Sequence, residues 1–420
     1  MTEPKMIQQY LQEHLGDYLE YLRQMVGINS FTSNPLGVNR LNELTAQIFA
    51  PFGFDAEYVQ SKNSLFGKHL FLSRPPSETN PQDPSAKRNY LGLISHLDTV
   101  FSPEEEINNN FHWRQVEDRI YGPGTVDIKG GTIMIYMVMD ALKKFAPKVF
   151  NSTGWLICLN ACEEVLSDDF AEFCLRRFPQ NTLACLVFEG GTQADDVMPL
   201  VISRKGRATY SVQAEGRSAH AGNSHAQGAN AILQISYTVQ KIASFTDYKK
   251  DITFNVGTIK GGSVINRVPH YAEASVEMRA FSPSVFQEGL DKILTLNGSS
   301  QVSSEDGYPC KVAIQVIDRA NPWPPNSETQ CLFELWSSTA EGLGMKVIPE
   351  ARGGLSDGNL LWSHFPTLDG LGPIGGNAHC SERDADGEKD QEYVLQSSFV
   401  PKALLNTMAI LQLIENPIVQ

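Results

Sequence analysis

Five short stretches of the chain carry side chains suited to holding a cation, and each stands at or near the end of an apolar or glycine-rich run. SHLDTV supplies His96 and Asp98, YGPGTVDIKGG supplies Asp127, NACEE supplies Glu163 and Glu164, VFEGG supplies Glu189, and GGNAHCSE supplies His379. Two imidazoles and several carboxylates make a mixed nitrogen and oxygen donor set that suits zinc or a similar divalent metal. One ion would leave excess negative charge in a confined site. Two ions, bridged by a carboxylate and a water, would balance it. The adjacent Glu163 and Glu164 pose the sharpest question, because neighbouring carboxylates repel each other and lose hydration on leaving a core strand. A division of labour answers it in outline: one glutamate binds metal and the other faces the water as general base. Asp98, two residues after His96, is placed to hold that imidazole. Taken singly, each stretch has an ordinary reading as polar loop, helix start or capping aspartate. The weight lies in finding all five in these contexts.

Such residues meet only if the fold gathers them. In an α/β sheet, ligands bind beyond the carboxyl ends of the strands. NYLGLISHLDTV, GWLICLNA and LACLVFEGG read as buried strands, and GGTIMIYMVMDALKKF as a long apolar helix. Ile7, Leu11, Leu15, Tyr18, Leu22 and Val26 recur at helical spacing, and LNELTAQIFAPFGF reads as a second helix. RPPSETNPQDPSAKRN is a polar, Pro-rich insertion expected to form a surface loop. From about residue 206 the order becomes strand, helix, strand, strand, helix, strand, which is the ferredoxin-like arrangement. NPWPPNS then reads as a linker, after which the α/β pattern resumes. The expected fold is an α/β, mostly parallel-sheet domain formed by residues 1–205 and 321–420, interrupted by an α+β ferredoxin-like domain at 206–320. A chain of 420 residues is in any case too long for a single typical core.

Composition narrows the function. A net charge of −14 makes the chain a poor nucleic-acid binder. The N-terminal stretch lacks the basic and apolar regions of a signal peptide, and no apolar run is expected to span a membrane. Seven scattered cysteines without a CxxC pair read as reduced thiols, so the expected location is the cytoplasm.

SHLDTV, GPGTVDIKGG, the Glu pair, FEGG, SAHAG, GGLSDGN and GPIGGNAH together resemble the co-catalytic zinc metallopeptidases, which include glutamate carboxypeptidase, aminoacylase, acetylornithine deacetylase and succinyl-diaminopimelate desuccinylase. The resemblance covers nearly the whole chain and implies two zinc ions, replaceable by cobalt or manganese. It implies His96 and Glu189 on one ion, Glu164 and His379 on the other, Asp127 bridging both, Glu163 as general base and Asp98 orienting His96. It implies a cis peptide after Asp127. In the inserted domain, His220 resembles an oxyanion-stabilising histidine that reaches into the partner subunit's site. Asn266 and Arg279 resemble contacts to the substrate carboxylate or oxyanion. Gly354, Ser356 and Asp357 resemble the loop lining the substrate pocket.

Glu at position 189 resembles the carboxypeptidase, acylase and desuccinylase branches more than the dipeptidase and tripeptidase branches. The implied activity is hydrolysis of an N-acyl amino acid or small peptide with a free carboxylate, most like glutamate carboxypeptidase. The rivals are a biosynthetic N-deacylase or aminoacylase and a catalytically silent binding or scaffold protein. A homodimer through the inserted domain is implied, with the strand YSVQAEG expected at its sheet edge. Two features depart from the family pattern. Cys162 stands where Asp is usual before the Glu pair, and Arg204 and Lys205 at the hinge have no assigned role. His14, His69, His112, His225, His270 and His364 lie in no matching motif and are expected to pack or face solvent.

Overall fold

In the computed structural model, residues 4–77, 89–165, 167–192, 197–384 and 386–417 are described; most of the Pro-rich insertion lies outside them. The strands that matter are β1 (Asp55–Gln60), β2 (Lys68–Arg74), β3 (Tyr90–His96), β4 (Gly154–Asn160), β5 (Thr182–Val187), β6 (Gly206–Glu215), β7 (Thr253–Gly261), β8 (Tyr271–Ala280), β9 (Lys311–Ala320) and β10 (Thr367–Leu368). The helices are α1 (Pro4–Glu13), α2 (Leu15–Val26), α3 (Pro35–Phe49), α4 (Gly130–Phe145), α5 (Asp168–Arg177), α6 (Ala231–Ala243), α7 (Pro283–Leu294), α8 (Ser327–Gly342) and α9 (Phe399–Glu415).

Two compact units emerge. The first comprises Met1–Ile202, Pro325–Ala351 and Ser356–Gln420; the second comprises Ser203–Pro324 with Arg352–Leu355. The short piece Arg352–Leu355, read from sequence with the larger domain, goes with the smaller for a visible reason. Arg204 donates to the carbonyls of Gly354 and Leu355, Arg279 donates to that of Gly353, and the Lys205 amide donates to that of Arg352.

The sheet of the first unit runs in the order β1-β2-β4-β3-β5-β10. β4, β3, β5 and β10 are parallel, while β1 and β2 close one side antiparallel. Every residue of β4 is buried, as expected of a central strand covered on both faces. The register sets His96 against Asn160 and Ile94 against Val187, so β3, β4 and β5 end at one edge of the sheet. The segments carrying His96 and Asp98, the Glu pair and Glu189 therefore leave the sheet side by side.

α4 is buried along most of its length and belongs to the same apolar core as the strands. The segment Gln396–Glu415, containing α9, has the length and apolarity of a membrane span, which corrects the sequence expectation that no run would; 72% of its most apolar 18-residue stretch is buried here. A helix apolar on all sides is what the centre of a large domain requires. The N-terminal apolar repeat forms two helices, broken at His14, whose ring lies 2.9 Å from the Tyr10 carbonyl.

The second unit has the expected β-α-β-β-α-β order and a separate apolar core. Its four antiparallel strands run β7-β8-β6-β9. YSVQAEG therefore lies in an interior strand, between β8 and β9, and the expectation that it forms the edge is wrong. The cause is topological: in a split βαβ unit the first strand is flanked by the third and the fourth. Among the described residues, the free edges belong to β7 and β9.

Candidate metal centre

The sheet edge gathers the five stretches. His96 Nε2 lies 3.0 Å from Asp127 Oδ1, 3.8 Å from Glu189 Oε1 and 4.0 Å from Glu163 Oε2. His379 Nε2 lies 3.2 Å from Asp127 Oδ2 and 3.1 Å from Glu164 Oε2. The two oxygens of Asp127 thus face the two imidazoles. Two groups of ligand atoms result, His96 with Asp127 and Glu189, and Asp127 with Glu164 and His379, each with its atoms within 4.8 Å of one another. The Asp127–Ile128 peptide is cis, as the resemblance implied.

The Glu pair sits in a short 3-10 turn just past β4. Asp98 holds that turn: its Oδ1 accepts from the Glu163 amide at 3.0 Å and its Oδ2 from the Glu164 amide at 3.2 Å. Thr32 adds a hydroxyl bond to Oδ2 at 2.7 Å. The Nδ1 of His96 meets the backbone carbonyl of Asp98 at 3.0 Å, closer than the Asp98 carboxylate at 3.5 Å. Behind Asp127, the buried Glu392 accepts from the Val126 and Asp127 amides at 3.0 and 3.2 Å.

The electrostatics are those of a site short of positive charge. Burial opposes the charge of His96, yet its bonds to Asp127 and Asp98 raise its pKa well above the usual value. Contacts with Asp127 and then Glu164 lift His379 to about 11. Burial pushes Glu163 well up, Glu164 to about 7, Asp357 to about 7 and Glu392 to about 8. Asp127 stays low despite its burial, through its bonds to His379 and His96. The raised carboxyl values are those that a bound cation, by compensating the carboxylates, would bring down. The donor set passes a further test, since the buried Glu164 Oε1 has no hydrogen-bond partner among the described residues. A buried carboxylate oxygen left without a partner is costly, and a metal ion would satisfy it.

The remaining sequence-derived residues divide. Ser356 and Asp357 are buried; Ser356 donates to Asp369 at 2.8 Å, and Asp357 accepts from Asn160 at 2.8 Å. Their side chains support the loop from within. In the second unit, His220 and Asn266 are exposed, and Gly354 is tied to Arg204 through its carbonyl. The Gly222 and Asn223 amides both donate to His220 Nδ1 at 3.1 Å, which leaves the ring proton on Nε2. Arg279 is engaged by Glu277, at 2.6 and 3.1 Å, as well as by the Gly353 carbonyl. Arg319, which the sequence reading passed over, is exposed at the end of β9 and makes no side-chain hydrogen bond or ion pair among the described residues.

Among the histidines set aside, His112, His225, His270 and His364 are exposed, but His69 is completely buried. It forms a third donor group with Cys162 and Asp169. The sequence reading also missed Glu392, Asn160 and Thr32. None stands in a glycine-rich or strand-end motif of its own except Asn160, whose place at the end of GWLICLN was the available signal.

The chain is similar to several known proteins. Residues 202–296 match the family model described as the M20 peptidase dimerisation domain. The chain is thus similar, in its dimerisation-domain match and in its sequence relatives, to M20-type metallopeptidases and amidohydrolases, the resemblance that its motifs carry. An uncharacterized metallohydrolase of Methanocaldococcus jannaschii is 26% identical over 69% of this chain and 73% of its own. Carboxypeptidase G2 of a Pseudomonas species is 28% identical over 62% of this chain, which spans 59% of that relative's length. Acetylornithine deacetylase of Aliivibrio salmonicida is 26% identical over 86% of this chain and 90% of its own.

Solved structures share the fold. Aminopeptidase PepT of Bacillus cereus has a TM-score of 0.70 at 17% identity, covering 94% of this chain and 98% of that one. A dipeptidase of Saccharomyces cerevisiae reaches 0.71 at 13% identity over the full length of both chains. An M20 family metallo-carboxypeptidase of Sulfolobus solfataricus has 0.67 at 14% identity, covering 94% and 99%.

Proposed function

We propose that the protein is a dinuclear zinc hydrolase that cleaves the amide or peptide bond of an N-acyl amino acid or small peptide with a free carboxylate, in the manner of a glutamate carboxypeptidase. The observation that carries this reading is Asp127, whose oxygens lie 3.0 and 3.2 Å from the imidazoles of His96 and His379 while Glu163 stands outside both ligand groups. His96, Asp127 and Glu189 would hold one ion, and Asp127, Glu164 and His379 the other, with cobalt or manganese as substitutes for zinc. When bound, the ions would polarise the scissile carbonyl and bring a water toward neutral acidity. Glu163, its carboxyl raised by burial, takes the proton of the attacking water and passes it to the leaving nitrogen. His220, with its proton on Nε2, is a ready donor to the developing oxyanion, in our reading that of the partner's site. By the resemblance, Arg279 is our candidate for the substrate carboxylate, with Asn266 beside the oxyanion. The larger unit is then the catalytic domain and the smaller its lid.

We assign homodimerisation to the smaller unit, in keeping with its dimerisation-domain match. The free edge of β7 adjoins the outer face of α6, where Ile232 lies against Gly261 and Gly262. Leu233, Tyr237 and Ile259 are 52%, 56% and 52% exposed there, an apolar surface that a two-fold partner would cover. The seven cysteines, none bonded to another, suit the reducing compartment expected from the sequence.

A biosynthetic N-deacylase is the second reading, favoured by the extent of the match to acetylornithine deacetylase. Chelated protein reloaded with zinc, cobalt or manganese and assayed on N-acyl-glutamates, dipeptides and N-acetylornithine separates the two. Metal-restored release of C-terminal glutamate supports the first, and preferential N-acetylornithine hydrolysis the second. No hydrolysis of any substrate by metal-loaded dimer would leave the binding-protein reading.

A further inference from the structure

Where β4 ends, four consecutive backbone amides are each held by a side chain. The Ala161 amide donates to His69 Nδ1 at 3.2 Å, and that of Cys162 to Asn160 Oδ1 at 3.1 Å. The amides of Glu163 and Glu164 donate to the two oxygens of Asp98. His69, Asn160 and Asp98 are 0%, 0% and 1% exposed, so water does not compete for these bonds. Asp98 follows β3 and Asn160 ends β4, but His69 comes from β2, on the far side of β4 from β3.

The His69 ring has a defined tautomer. With Nδ1 accepting from Ala161, the ring proton resides on Nε2, which faces Asp169 Oδ2 at 3.5 Å. Asp169 is fixed in turn by the Lys62 amide at 2.6 Å and by the hydroxyls of Ser61 and Ser167, each at 3.0 Å. Phe170 and Phe173 pack around the ring at 5.4 and 5.8 Å between centroids. Asp169, His69 and the Ala161 amide thus form a chain from the start of α5 to the segment bearing the Glu pair. Cys162 also lies in this group, but a cation there would have to displace bonds already made by His69 Nδ1 and Asp169 Oδ2.

We propose that His69 is a positioning residue: as a neutral imidazole held by Asp169, it anchors the strand exit that aims Glu163 and Glu164. This rests on the reading of Glu163 as the base and Glu164 as a ligand. Those carboxylates must lie within a few tenths of an ångström of their working positions, and their own charges push the turn apart. A buried acceptor at Ala161 opposes that repulsion from the side away from the charge.

The test uses the full-length, zinc-loaded protein with His69→Leu, which deletes the acceptor, and His69→Asn, whose amide oxygen replaces Nδ1. Backbone hydrogen exchange of the peptide spanning residues 161–164 is measured beside kcat, KM and zinc content. In His69→Leu we expect exchange to quicken and kcat to fall about 10–100-fold, the range seen when a residue supporting a metal site is lost, with KM within about twofold and zinc content unchanged. His69→Asn should recover most of both. Unchanged exchange and kcat in His69→Leu would overturn the proposal. So would loss of a zinc equivalent, which would make His69 a ligand. If His69→Leu does not fold, failure of His69→Asn to protect the 161–164 amides overturns it. The exchange measurement stands even if the wild-type protein hydrolyses nothing, so failure of the functional reading is distinguishable from failure of the positioning.

Discussion

Replacing Asp98 with Asn keeps the shape of the side chain and removes one acceptor and one charge. The Asp98 side chain is 0% exposed and accepts from the Glu163 amide, the Glu164 amide and the Thr32 hydroxyl. With the Asn oxygen facing Glu163, its NH2 group faces Glu164 and Thr32. The hydroxyl can turn and accept, but the Glu164 amide cannot. A hydrogen bond to a charged group contributes about 1.5–3 kcal/mol, and an orphaned buried donor costs about 1–3 kcal/mol, so the loss is about 2.5–6 kcal/mol. Against this, Asp98 raises the pKa of Glu164 and Asp357 by repulsion, and removing its charge relieves both while giving up its attraction for the charged His96. The net relief, two repulsions less one attraction, is on the order of 2 kcal/mol at an effective dielectric near 20.

Metal compensates the carboxylates, so the relief counts in the metal-free protein and largely vanishes in the loaded one. Asp98→Asn should therefore destabilise the zinc form by about 2.5–6 kcal/mol and the metal-free form by roughly 2 kcal/mol less. By linkage, zinc affinity falls about 30-fold. Denaturant titration with and without zinc reads the first quantity, and competition with a chromophoric chelator the second. Thr32→Val is the control, removing one bond without the charge, and it should leave affinity near the parent's. Zinc affinity within about threefold of the parent, with equal midpoints in both forms, would refute the account of Asp98 as holder of the Glu turn.

Glu163→Gln should abolish turnover by about 10²–10⁴-fold or more with zinc content intact, since it removes a base and no ligand; loss of one ion on metal analysis would mean that the roles of Glu163 and Glu164 are exchanged. Mixing inactive Glu163→Ala and His220→Ala proteins and allowing subunits to exchange should restore part of the activity, because one site of the mixed dimer has both groups; no recovery after proven exchange would exclude a shared site. Ile259→Lys together with Tyr237→Asp should yield monomers by light scattering, whereas an intact dimer would place the interface elsewhere. Although burial acts the other way, bonds from His69, Lys62 and Ser61 hold Asp169 below the usual carboxylate range, so in acid the unfolded chain binds its proton first. Its stabilisation is present above the ordinary carboxylate pKa and is lost as pH falls, and Asp169→Asn should flatten the decline in melting temperature below about pH 4.

The side chains that gather at the candidate metal centre were legible because chemistry restricts which residues can act as donors. Only a few residue types bind a divalent ion, and His96, Asp127, Glu164, Glu189 and His379 each stand beside an apolar or glycine-rich run that marks a strand end or turn. The order of elements in the smaller unit was legible too, since alternation of period two and period 3.6 is local. Strand neighbourhood is not local. That β2 lies against β4, and β4 against β3, decides that His69 and Asp98 reach different amides of one four-residue run, and nothing in the spacing of SHLDTV or KHLFLSR encodes it. The same reason misplaced YSVQAEG at an edge: its alternation shows one buried face and is silent on which strands flank it. Glu392 and Asn160 escaped notice likewise, because a buried polar side chain takes its meaning from the backbone group it meets, and only the folded register brings that group to it.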